Sequence, residues 1–346
     1  MKYKLRLVLL IMMPIISIIC AVVFVPWLAG CAYLKPLPDT VQGQVSDAIH
    51  YDLDGIIVYV DKKGSSPEFY SAGWKNRENK IPADPHALFK IASISKLYIA
   101  AATAKLVNSK KLSLDKPLTD YLPELAGRIE YADKITLKMM LQHRSGIPNF
   151  IDDPKFPWDN LPADVSGLLK FGLDKPADFK PDNRYRYSNT NYLLIGMILD
   201  KSLGYSHHDY IKKEILEPLG LTHTYSLLSE VNLEDVVSGY YIGYEPDLKT
   251  ANFIGAGGSM IASAQDVGIF MRALNDGSLL NADEQAIYSS IYVYEHTGLL
   301  PGYSSIARYH KDIDTVVIQF VNTSGKNSWA ITEIVYSRII RILRKQ

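Results

Sequence analysis

The chain has 346 residues, of which 47% are hydrophobic and 21% are charged, a composition typical of a globular protein and unlike that of a disordered or fibrous one. Its 37 basic residues balance its 37 acidic residues, so no excess of positive charge points to nucleic-acid binding. The two cysteines, Cys20 and Cys31, lie near the N-terminus, which excludes internal disulfides and cysteine-based metal sites from the rest of the chain.

The N-terminal segment has the pattern of an export signal or a membrane span. Lys2, Lys4 and Arg6 are followed by a stretch from Leu7 to Ala29 without any charged residue. Positive charge before such a stretch keeps the N-terminus on the cytoplasmic side of the membrane. We therefore expect the rest of the chain to be extracytoplasmic, in the periplasm or at the cell surface.

The end of this apolar stretch leaves two alternatives open. Leu28 to Cys31 reads LAGC and resembles the processing site of bacterial lipoproteins, where cleavage precedes the cysteine and its sulfur takes a lipid. Pro26 and Trp27 also suit the interfacial end of an uncleaved span. We expect residues 1–31 to be a lipoprotein signal or membrane anchor, with Cys31 as the lipid attachment site.

The first elements after the anchor are predicted to be a tether, two strands and a buried helix. Residues 32–47 are polar and contain prolines, which indicates a tether. Gly55 to Asp61 and Glu68 to Trp74 have the composition of two strands around a turn. From Phe89 to Asn108 the pattern is helical and its middle is apolar on nearly every face, so this helix should be buried.

The rest of the chain is predicted to form a helical block and then a return to strands. Between about residues 115 and 250 short helices alternate with loops rich in Pro and Asp, the clearest helix running from Asn191 to Leu203. After a helix that Ser263 caps, the predicted elements are strands at Ile291 to Glu295, Ser304 to His310 and Thr315 to Asn322 and an amphipathic helix at Trp329 to Leu343.

This order of elements predicts an α+β fold. We expect an antiparallel sheet assembled from both ends of the chain and flanked by the N- and C-terminal helices, with an all-helical second lobe. The sheet part should comprise about residues 48–114 and 251–344 of a single catalytic domain, residues 48–344, and the helical lobe about residues 115–250.

Ser93 and Lys96 form an S-x-x-K motif near the start of the predicted buried helix, where a spacing of three places both side chains on one face. A serine hydroxyl is a poor nucleophile until a base takes its proton, and burial lowers the pKa of a lysine so that it can act as that base. The same motif recurs at Ser113 and Lys116, but Pro117 disfavours a helix there, so Ser113 is interpreted as a loop serine.

Two further motifs follow in the chain. Tyr187-Ser188-Asn189 stands just before the helix that begins near Asn191. A tyrosine near a lysine ammonium is expected to have a lowered pKa and can pass the serine proton to a leaving group. His296-Thr297-Gly298 stands at the end of a predicted strand. Taken alone, Tyr187-Ser188-Asn189 is more typical of a helix cap, and His296-Thr297-Gly298 could be a turn. Their joint appearance with Ser93 and Lys96 therefore carries the interpretation.

Together these motifs resemble those of the serine β-lactamase and penicillin-binding protein superfamily. The resemblance is strongest to the branch that contains class C β-lactamases, D-alanyl-D-alanine carboxypeptidases and esterases, whose motifs are S-x-x-K, Y-x-N and K/H-T-G. The segments that resemble the typical motif sequences of this branch are Phe89 to Lys96, Leu141 to Ile147, Tyr187 to Tyr192 and His296 to Gly302. The resemblance covers about residues 48–340 and implies a β-lactamase/transpeptidase-like fold.

The resemblance also implies roles for the motif residues. Ser93 would be the acylated nucleophile, Lys96 and Tyr187 would share general acid and base duty, and Asn189 would bind the substrate amide. No metal and no organic cofactor is implied.

Further substrate-binding roles follow for the third motif. His296, Thr297 and Gly298 would form the wall opposite the nucleophile. The oxyanion hole would consist of the backbone N–H groups of Ser93 and Leu299. His296 stands where class C β-lactamases typically carry lysine, so a titrating group replaces a permanent charge, which weakens the β-lactamase assignment.

The first expectation for function is therefore an exported serine hydrolase that forms an acyl-enzyme with a small peptide or ester. A D-alanyl-D-alanine carboxypeptidase acting on peptidoglycan stem peptides is the leading form. An esterase or a β-lactamase of the same fold is the alternative, and a non-catalytic sensor of cell-wall fragments or β-lactams is the third. The expected partners are such substrates and the membrane, and no nucleic acid.

Overall fold

The computed structural model describes residue 10, residues 12–17 and residues 27–346. Most of the predicted leader, including Cys20, lies outside these described residues. Within them, no helix combines the length and the apolar character that crossing a bilayer requires. Cys31, the predicted lipid attachment site, is exposed on helix α1 (Trp27–Leu34).

An antiparallel sheet of six strands forms the centre of the described structure, in the spatial order β3-β2-β1-β10-β9-β8. A three-stranded sheet, β4-β7-β5, and a parallel pair, β6-β11, complete the strand pairing. The strands are β1 (Gly55–Lys62), β2 (Glu68–Asn76), β3 (Ile81–Pro82), β4 (Phe89–Lys90), β5 (Thr224–Tyr225), β6 (Tyr240–Tyr241), β7 (Ile261–Ala262), β8 (His296–Leu300), β9 (Tyr303–His310), β10 (Thr315–Val321) and β11 (Thr323–Ser324).

The central sheet joins both ends of the chain, as the sequence predicted. Strand β1 pairs antiparallel with β10, so that Ile56 lies opposite Val321. Every residue of β10 is buried, and so are the first six residues of β1. A strand that is buried on both faces needs a packed layer on each side of the sheet.

Alternate side chains of β1 contribute to two different hydrophobic clusters, because successive residues of a strand point to opposite faces. Ile56 and Val58 pack with residues of the first and last helices. Ile57 and Tyr59 face the larger cluster, which extends into the second lobe. The helices therefore flank the sheet on both sides, and the predicted fold class is confirmed.

The second lobe consists mainly of short helices, α4 to α8, with three 3-10 turns and a π-helical turn (Pro123–Leu125, Phe150–Asp152, Leu228–Glu230 and Lys212–Leu216). The helices after α1 are α2 (Val41–Ala48), α3 (Ser95–Asn108), α4 (Leu118–Tyr121), α5 (Leu137–Leu141), α6 (Val165–Leu169), α7 (Asn189–Leu203), α8 (His207–Ile211), α9 (Ala264–Asp276), α10 (Ala282–Ile291) and α11 (Ser328–Leu343).

Helix α3 is the buried helix that the sequence predicted, but it begins at Ser95 rather than at Phe89. Phe89 and Lys90 form the short strand β4, which pairs with β7. Ala92 has a φ of 53°, a left-handed conformation that interrupts regular structure. The segment thus changes from strand to helix just where Ser93 stands.

Three other predictions need correction. The tether over residues 32–47 contains most of α2, in which Thr40 caps the N-terminus and Val41 and Val45 are buried against the sheet. The strand predicted from Ile291 to Glu295 is instead the last residue of α10 followed by a loop. Helix α10 starts well before this segment, at a capping box formed by Asn281 and Glu284, and runs to Ile291. The block over residues 115–250 is not all-helical, since β5 and β6 lie within it and pair with β7 and β11.

Candidate active site

Ser93 lies in a single 3-10 turn, Ala92–Ile94, between strand β4 and helix α3. Two side chains hold this turn from outside: Ser95 Oγ donates to the Ala92 carbonyl at 2.6 Å, and Ser305 Oγ donates to the Ile91 carbonyl at 3.1 Å. Ala92 is buried in its left-handed conformation, and such backbone strain is characteristic of functional turns. The turn leaves Ser93 partly exposed, whereas its neighbours on both sides are buried.

The predicted pairing of Ser93 and Lys96 is present, with Lys96 Nζ 3.0 Å from Ser93 Oγ. The Lys96 side chain is completely buried. Burial disfavours the charged ammonium and lowers the pKa of Lys96 to about 7. A large fraction of the molecules therefore carries a neutral amine at this position near neutral pH.

The surroundings of the Lys96 amine determine which way its hydrogen bonds run. Nζ lies 2.9 Å from Asn189 Oδ1 and 2.6 Å from the Gly257 carbonyl oxygen, and both of these atoms can only accept. A neutral amine has two N–H groups and one lone pair. Because the two acceptors use both N–H groups, the lone pair faces the Ser93 hydroxyl, which is the orientation that a general base needs.

Tyr187 approaches Ser93 from the second lobe, with its hydroxyl 2.8 Å from Ser93 Oγ. The sequence predicted a lowered pKa for this tyrosine, and that prediction is wrong. Burial raises the pKa of Tyr187 well above its ordinary value of 10. Tyr187 therefore stays a phenol that donates to Ser93 Oγ and holds a proton.

His143 supports the Tyr187 ring and was not singled out as a site residue by the sequence, although it lies within the family-like segment Leu141 to Ile147. The two rings stack with centroids 4.3 Å apart. His143 Nδ1 accepts from the backbone N–H of Ser188 at 3.1 Å, and burial lowers the pKa of His143 to about 3. This histidine is therefore a neutral platform for Tyr187.

His296 begins strand β8 and lines the same cavity as Ser93. Its Nε2 lies 2.8 Å from the Tyr292 hydroxyl, and its Nδ1 contacts the Thr297 carbonyl. Burial lowers the pKa of His296 to about 4. Both ring nitrogens thus have partners and the ring is neutral at pH 7, so this wall offers no positive charge to a substrate carboxylate.

Gly298 brings strand β8 close to the Ser93 turn. A Cβ at this position would stand only 2.9 Å from Ala92 Cβ and would collide with the Ile91 carbonyl, so glycine is needed for the approach. Leu299 follows, and its partner in β9 is Ser304.

The register of β8 determines the direction of the Leu299 backbone N–H, which was predicted to form part of the oxyanion hole. Leu300 and Tyr303 close a two-residue hairpin, and the closing pair of such a hairpin is hydrogen-bonded. Because hydrogen-bonded pairs alternate in antiparallel strands, the N–H of Leu299 points away from β9. Strand β8 is the edge of the sheet on that side and packs beside the Ser93 turn.

A cavity of about 360 Å³ opens above Ser93, and most of the side chains that line it are apolar. Among the described residues that line the cavity, none is Lys, Arg, Asp or Glu. The cavity is lined by Ser93, Asn149, Phe150, Ile151, Phe156, Trp158, Leu161, Leu168, Tyr187, Asn189, Leu193, Asn252, Phe253, Ile254, Gly255, Gly257, Gly258, His296, Thr297, Leu299, Leu300 and Pro301.

Four arginines that could pair with a substrate carboxylate have other partners. Arg184 stacks on Phe179, and Arg186 pairs with Asp152 and Asp178.

Two more arginines are held at the sheet: Arg272 contacts Asp61 and Asp314, and Arg308 contacts Glu333. None of the four lines the cavity.

The sequence named most of the residues that the structure brings together, but not all of them. Ser93, Lys96, Tyr187 and Asn189 form one connected group of hydrogen bonds. The Gly257 carbonyl completes it, and an added Cβ there would stand 2.9 Å from Lys96 Nζ. The glycine-rich run from Gly255 to Gly258 was the available signal for this contact.

A serine hydroxyl poised between an amine lone pair and a phenol, in a cleft between an antiparallel sheet and a helical lobe, defines a serine hydrolase of the acyl-transfer class. The family model described as Beta-lactamase matches residues 39–290, and the chain belongs to that family, within the superfamily of serine β-lactamases and penicillin-binding proteins. The matched range ends before His296.

Individual relatives agree with this placement. Protein flp of Staphylococcus aureus is 28% identical over 196 residues, which are 54% of this chain and 39% of that protein. The chain thus spans about two fifths of the length of this relative. The D-amino acid amidase of Ochrobactrum anthropi has the same fold, with 22% identity and a TM-score of 0.79 over 88% of this chain and 98% of the amidase.

A penicillin binding protein from Bacillus halodurans also shares the fold, with 22% identity and a TM-score of 0.74 over 87% of this chain and 99% of that one. At this level of identity the similarity to both solved structures concerns the fold. The substrate has to be argued from the site itself.

Proposed function

We propose that the protein hydrolyses neutral amides or esters through an acyl-enzyme on Ser93. The observation that carries the proposal is the position of Ser93 Oγ, 3.0 Å from the Lys96 amine and 2.8 Å from the Tyr187 hydroxyl, at the base of a cavity without charged lining. A base and an acid on either side of one nucleophile are what acyl transfer needs.

In the proposed reaction, Ser93 Oγ attacks the substrate carbonyl and its proton passes to the lone pair of Lys96. The backbone N–H groups of Ser93 and Leu299 would stabilise the oxyanion. Tyr187 would give its proton to the leaving nitrogen or oxygen as the acyl bond breaks, and Lys96 would return a proton to Tyr187. Water then attacks the acyl-enzyme by the reverse sequence of proton transfers.

Asn189 has two parts to play in this scheme. Its Oδ1 accepts from Lys96 and so holds the amine toward Ser93. Its backbone N–H donates to Asn149 Oδ1 at 3.0 Å, which fixes the start of α7 at the cavity. The remaining hydrogen-bonding capacity of the Asn189 amide would bind the amide of a peptide substrate.

The uncharged cavity bears on the choice of substrate. The D-alanyl-D-alanine carboxypeptidase expected from the sequence acts on a peptide that ends in a carboxylate, and an anion that is buried without a cationic partner is costly. His296 is neutral at pH 7, and no lysine or arginine lines the cavity. A neutral ester or amide is therefore the better-supported substrate, and the fold shared with a D-amino acid amidase supports an amide as well as an ester.

A matched pair of substrates tests this choice. We expect kcat/KM for an acylated D-alanyl-D-alanine methyl ester to exceed that for the same peptide with a free carboxylate by about tenfold or more, the factor that a lost ion-pair partner costs. A p-nitrophenyl acetate assay of the wild type and of Ser93→Ala supplies the reference for Ser93-dependent hydrolysis. Preference for the free carboxylate would instead support the carboxypeptidase.

A non-catalytic sensor of the same fold is the remaining alternative. The complete set of hydrogen bonds around Ser93 argues against it, because a binding module has no use for a base that faces a nucleophile. Absence of Ser93-dependent turnover on every ester and amide, together with a stable penicillin adduct by intact-mass analysis, would favour the sensor.

We also propose that the protein acts outside the cytoplasmic membrane, held there through Cys31. Support comes from the basic start, the apolar stretch and the LAGC sequence, and Cys31 is exposed. Metabolic labelling with a palmitate analogue should tag the wild type but not Cys31→Ala, and globomycin should leave an unprocessed, heavier form. Membrane association without label in the wild type would indicate the uncleaved anchor instead.

A further inference from the structure

A groove of about 760 Å³ adjoins the cavity above Ser93, beyond the residues from Leu299 to Pro301. Ile151, Trp158 and the Leu299 to Pro301 segment line both spaces. The Leu299 side chain stands between them and is 56% exposed. A substrate that is held at Ser93 can therefore extend into the groove without leaving the protein surface.

Aromatic side chains form the walls of this groove. Trp158 comes from the second lobe, Tyr241 and Tyr244 from the segment at β6, and Trp329 from α11. Trp158, Tyr241 and Tyr244 are between 39% and 45% exposed. Large apolar side chains that are exposed together beside a catalytic cavity mark a binding surface.

The groove is preformed rather than loosely assembled. Tyr241 belongs to β6, which pairs with Ser324 of β11. The Tyr241 ring lies against Gly325, where a Cβ would stand 3.1 Å from the ring. Tyr244 is tied to the same strand through its backbone N–H, which donates to the Tyr241 carbonyl at 2.9 Å. A fixed wall binds a ligand with little loss of conformational entropy.

The serine hydroxyls of the groove are already paired, and its charged side chains are exposed. Ser324 Oγ accepts from the Gly302 N–H at 2.7 Å, and Ser328 Oγ donates to the Gly325 carbonyl at 2.8 Å. Asp159 and Lys326 are exposed at the edge. The aromatic rings therefore supply much of the described surface that a ligand in the groove would contact.

We infer that this groove binds an apolar acyl chain, so that the substrates are esters or amides of medium- and long-chain acids. The inference rests on the proposed function and names its substrate class. The chain belongs to the acyl side, because the leaving group must reach the Tyr187 hydroxyl and Tyr187 does not line the groove. The acyl carbonyl at Ser93 then directs its chain past Leu299.

A series of p-nitrophenyl esters from acetate to dodecanoate tests the inference, at concentrations below micelle formation. Each methylene group that enters the groove should raise kcat/KM by about threefold to fourfold, the factor that corresponds to the free energy of burying a methylene group. The increase should stop when the groove is full. Tyr244→Asp places a charge in the wall and should lower the ratio of octanoate to acetate turnover by about tenfold.

Tyr205→Asp is the matched control, because Tyr205 is an exposed tyrosine of the second lobe that lines neither space. We expect this variant to keep the wild-type ratio. If the acetate ester is hydrolysed with full dependence on Ser93 but chain length has no effect, or if Tyr244→Asp keeps the wild-type ratio, the groove is not the acyl site. If neither an ester nor an amide is hydrolysed with dependence on Ser93, the proposed function itself fails.

Discussion

Replacing Ser93 with alanine is expected to lower kcat for p-nitrophenyl acetate by about four to six orders of magnitude, the loss that follows removal of a nucleophile in serine hydrolases. The hydroxyls that remain cannot take its place. Tyr187 is held as a phenol by burial, and the Ser95 hydroxyl is buried and donates to the Ala92 carbonyl. Steady-state kinetics with a burst-phase measurement would quantify the loss.

The variant should remain folded, since Ser93 contributes only an Oγ to the packing of a partly exposed turn. A melting temperature within about 4 °C of the wild type is expected. Ser113→Ala is the matched control, because Ser113 begins the second S-x-x-K motif but lies in an exposed loop. Equal loss of activity in both variants, or residual turnover in Ser93→Ala at the wild-type level, would contradict the assignment of the nucleophile.

Replacing Lys96 with methionine is expected to lower kcat/KM by about two to four orders of magnitude, which is the range for loss of a general base. Methionine fits the buried site without the amine, so the Ser93 hydroxyl loses the lone pair that faces it. In the wild type, kcat/KM should rise with pH through about 7, where the buried Lys96 loses its proton. The residual activity of Lys96→Met should not show this rise.

The pKa shift of Lys96 also predicts how stability changes with pH. Between about pH 7 and 10.5 the unfolded chain carries a proton on Lys96 that the folded chain does not, so the free energy of unfolding rises with pH in this window. Lys90 is buried with a pKa lowered to about 7 and acts in the same direction. The rise of the free energy of unfolding with pH should be smaller in Lys96→Met, by at most about 1.4 kcal/mol per pH unit.

Urea unfolding from pH 7 to 9 would measure these slopes below the range in which tyrosines of the unfolded chain ionise. Lys116→Met is the matched control, because Lys116 belongs to the second S-x-x-K motif and is not buried. This variant should keep the pH profile of activity of the wild type, and its free energy of unfolding should change with pH as in the wild type. An unchanged profile in Lys96→Met would rule out Lys96 as the base.

Much of the fold could be predicted because its elements have local signatures. Strands β1, β2, β9 and β10 follow from runs of β-branched and aromatic residues, and the last helix follows from its amphipathic period. The predictions failed where tertiary contacts override local preference. The segment from Phe89 to Ala92 has helical spacing, but Phe89 and Lys90 pair with β7 and a left-handed Ala92 follows.

The identities of Ser93, Lys96, Tyr187 and Asn189 could also be predicted, because three motifs occur together in order and resemble those of a known superfamily. Their protonation states could not. A pKa depends on burial and on neighbours, and the neighbours of Lys96 include Gly257, which lies 161 residues away in the chain. The prediction for Tyr187 had the wrong direction because it assumed a charged lysine beside a solvated phenol.

The sequence by itself thus determined the class of chemistry, through side chains whose spacing on one helix or beside one helix start is a local property. Tertiary structure decided the rest: that the pKa of Lys96 is lowered to about 7, that His296 carries no charge at pH 7, and that an uncharged cavity adjoins an aromatic groove at Leu299. These properties arise from desolvation and from surfaces shared by distant segments, and no local pattern along the chain encodes them.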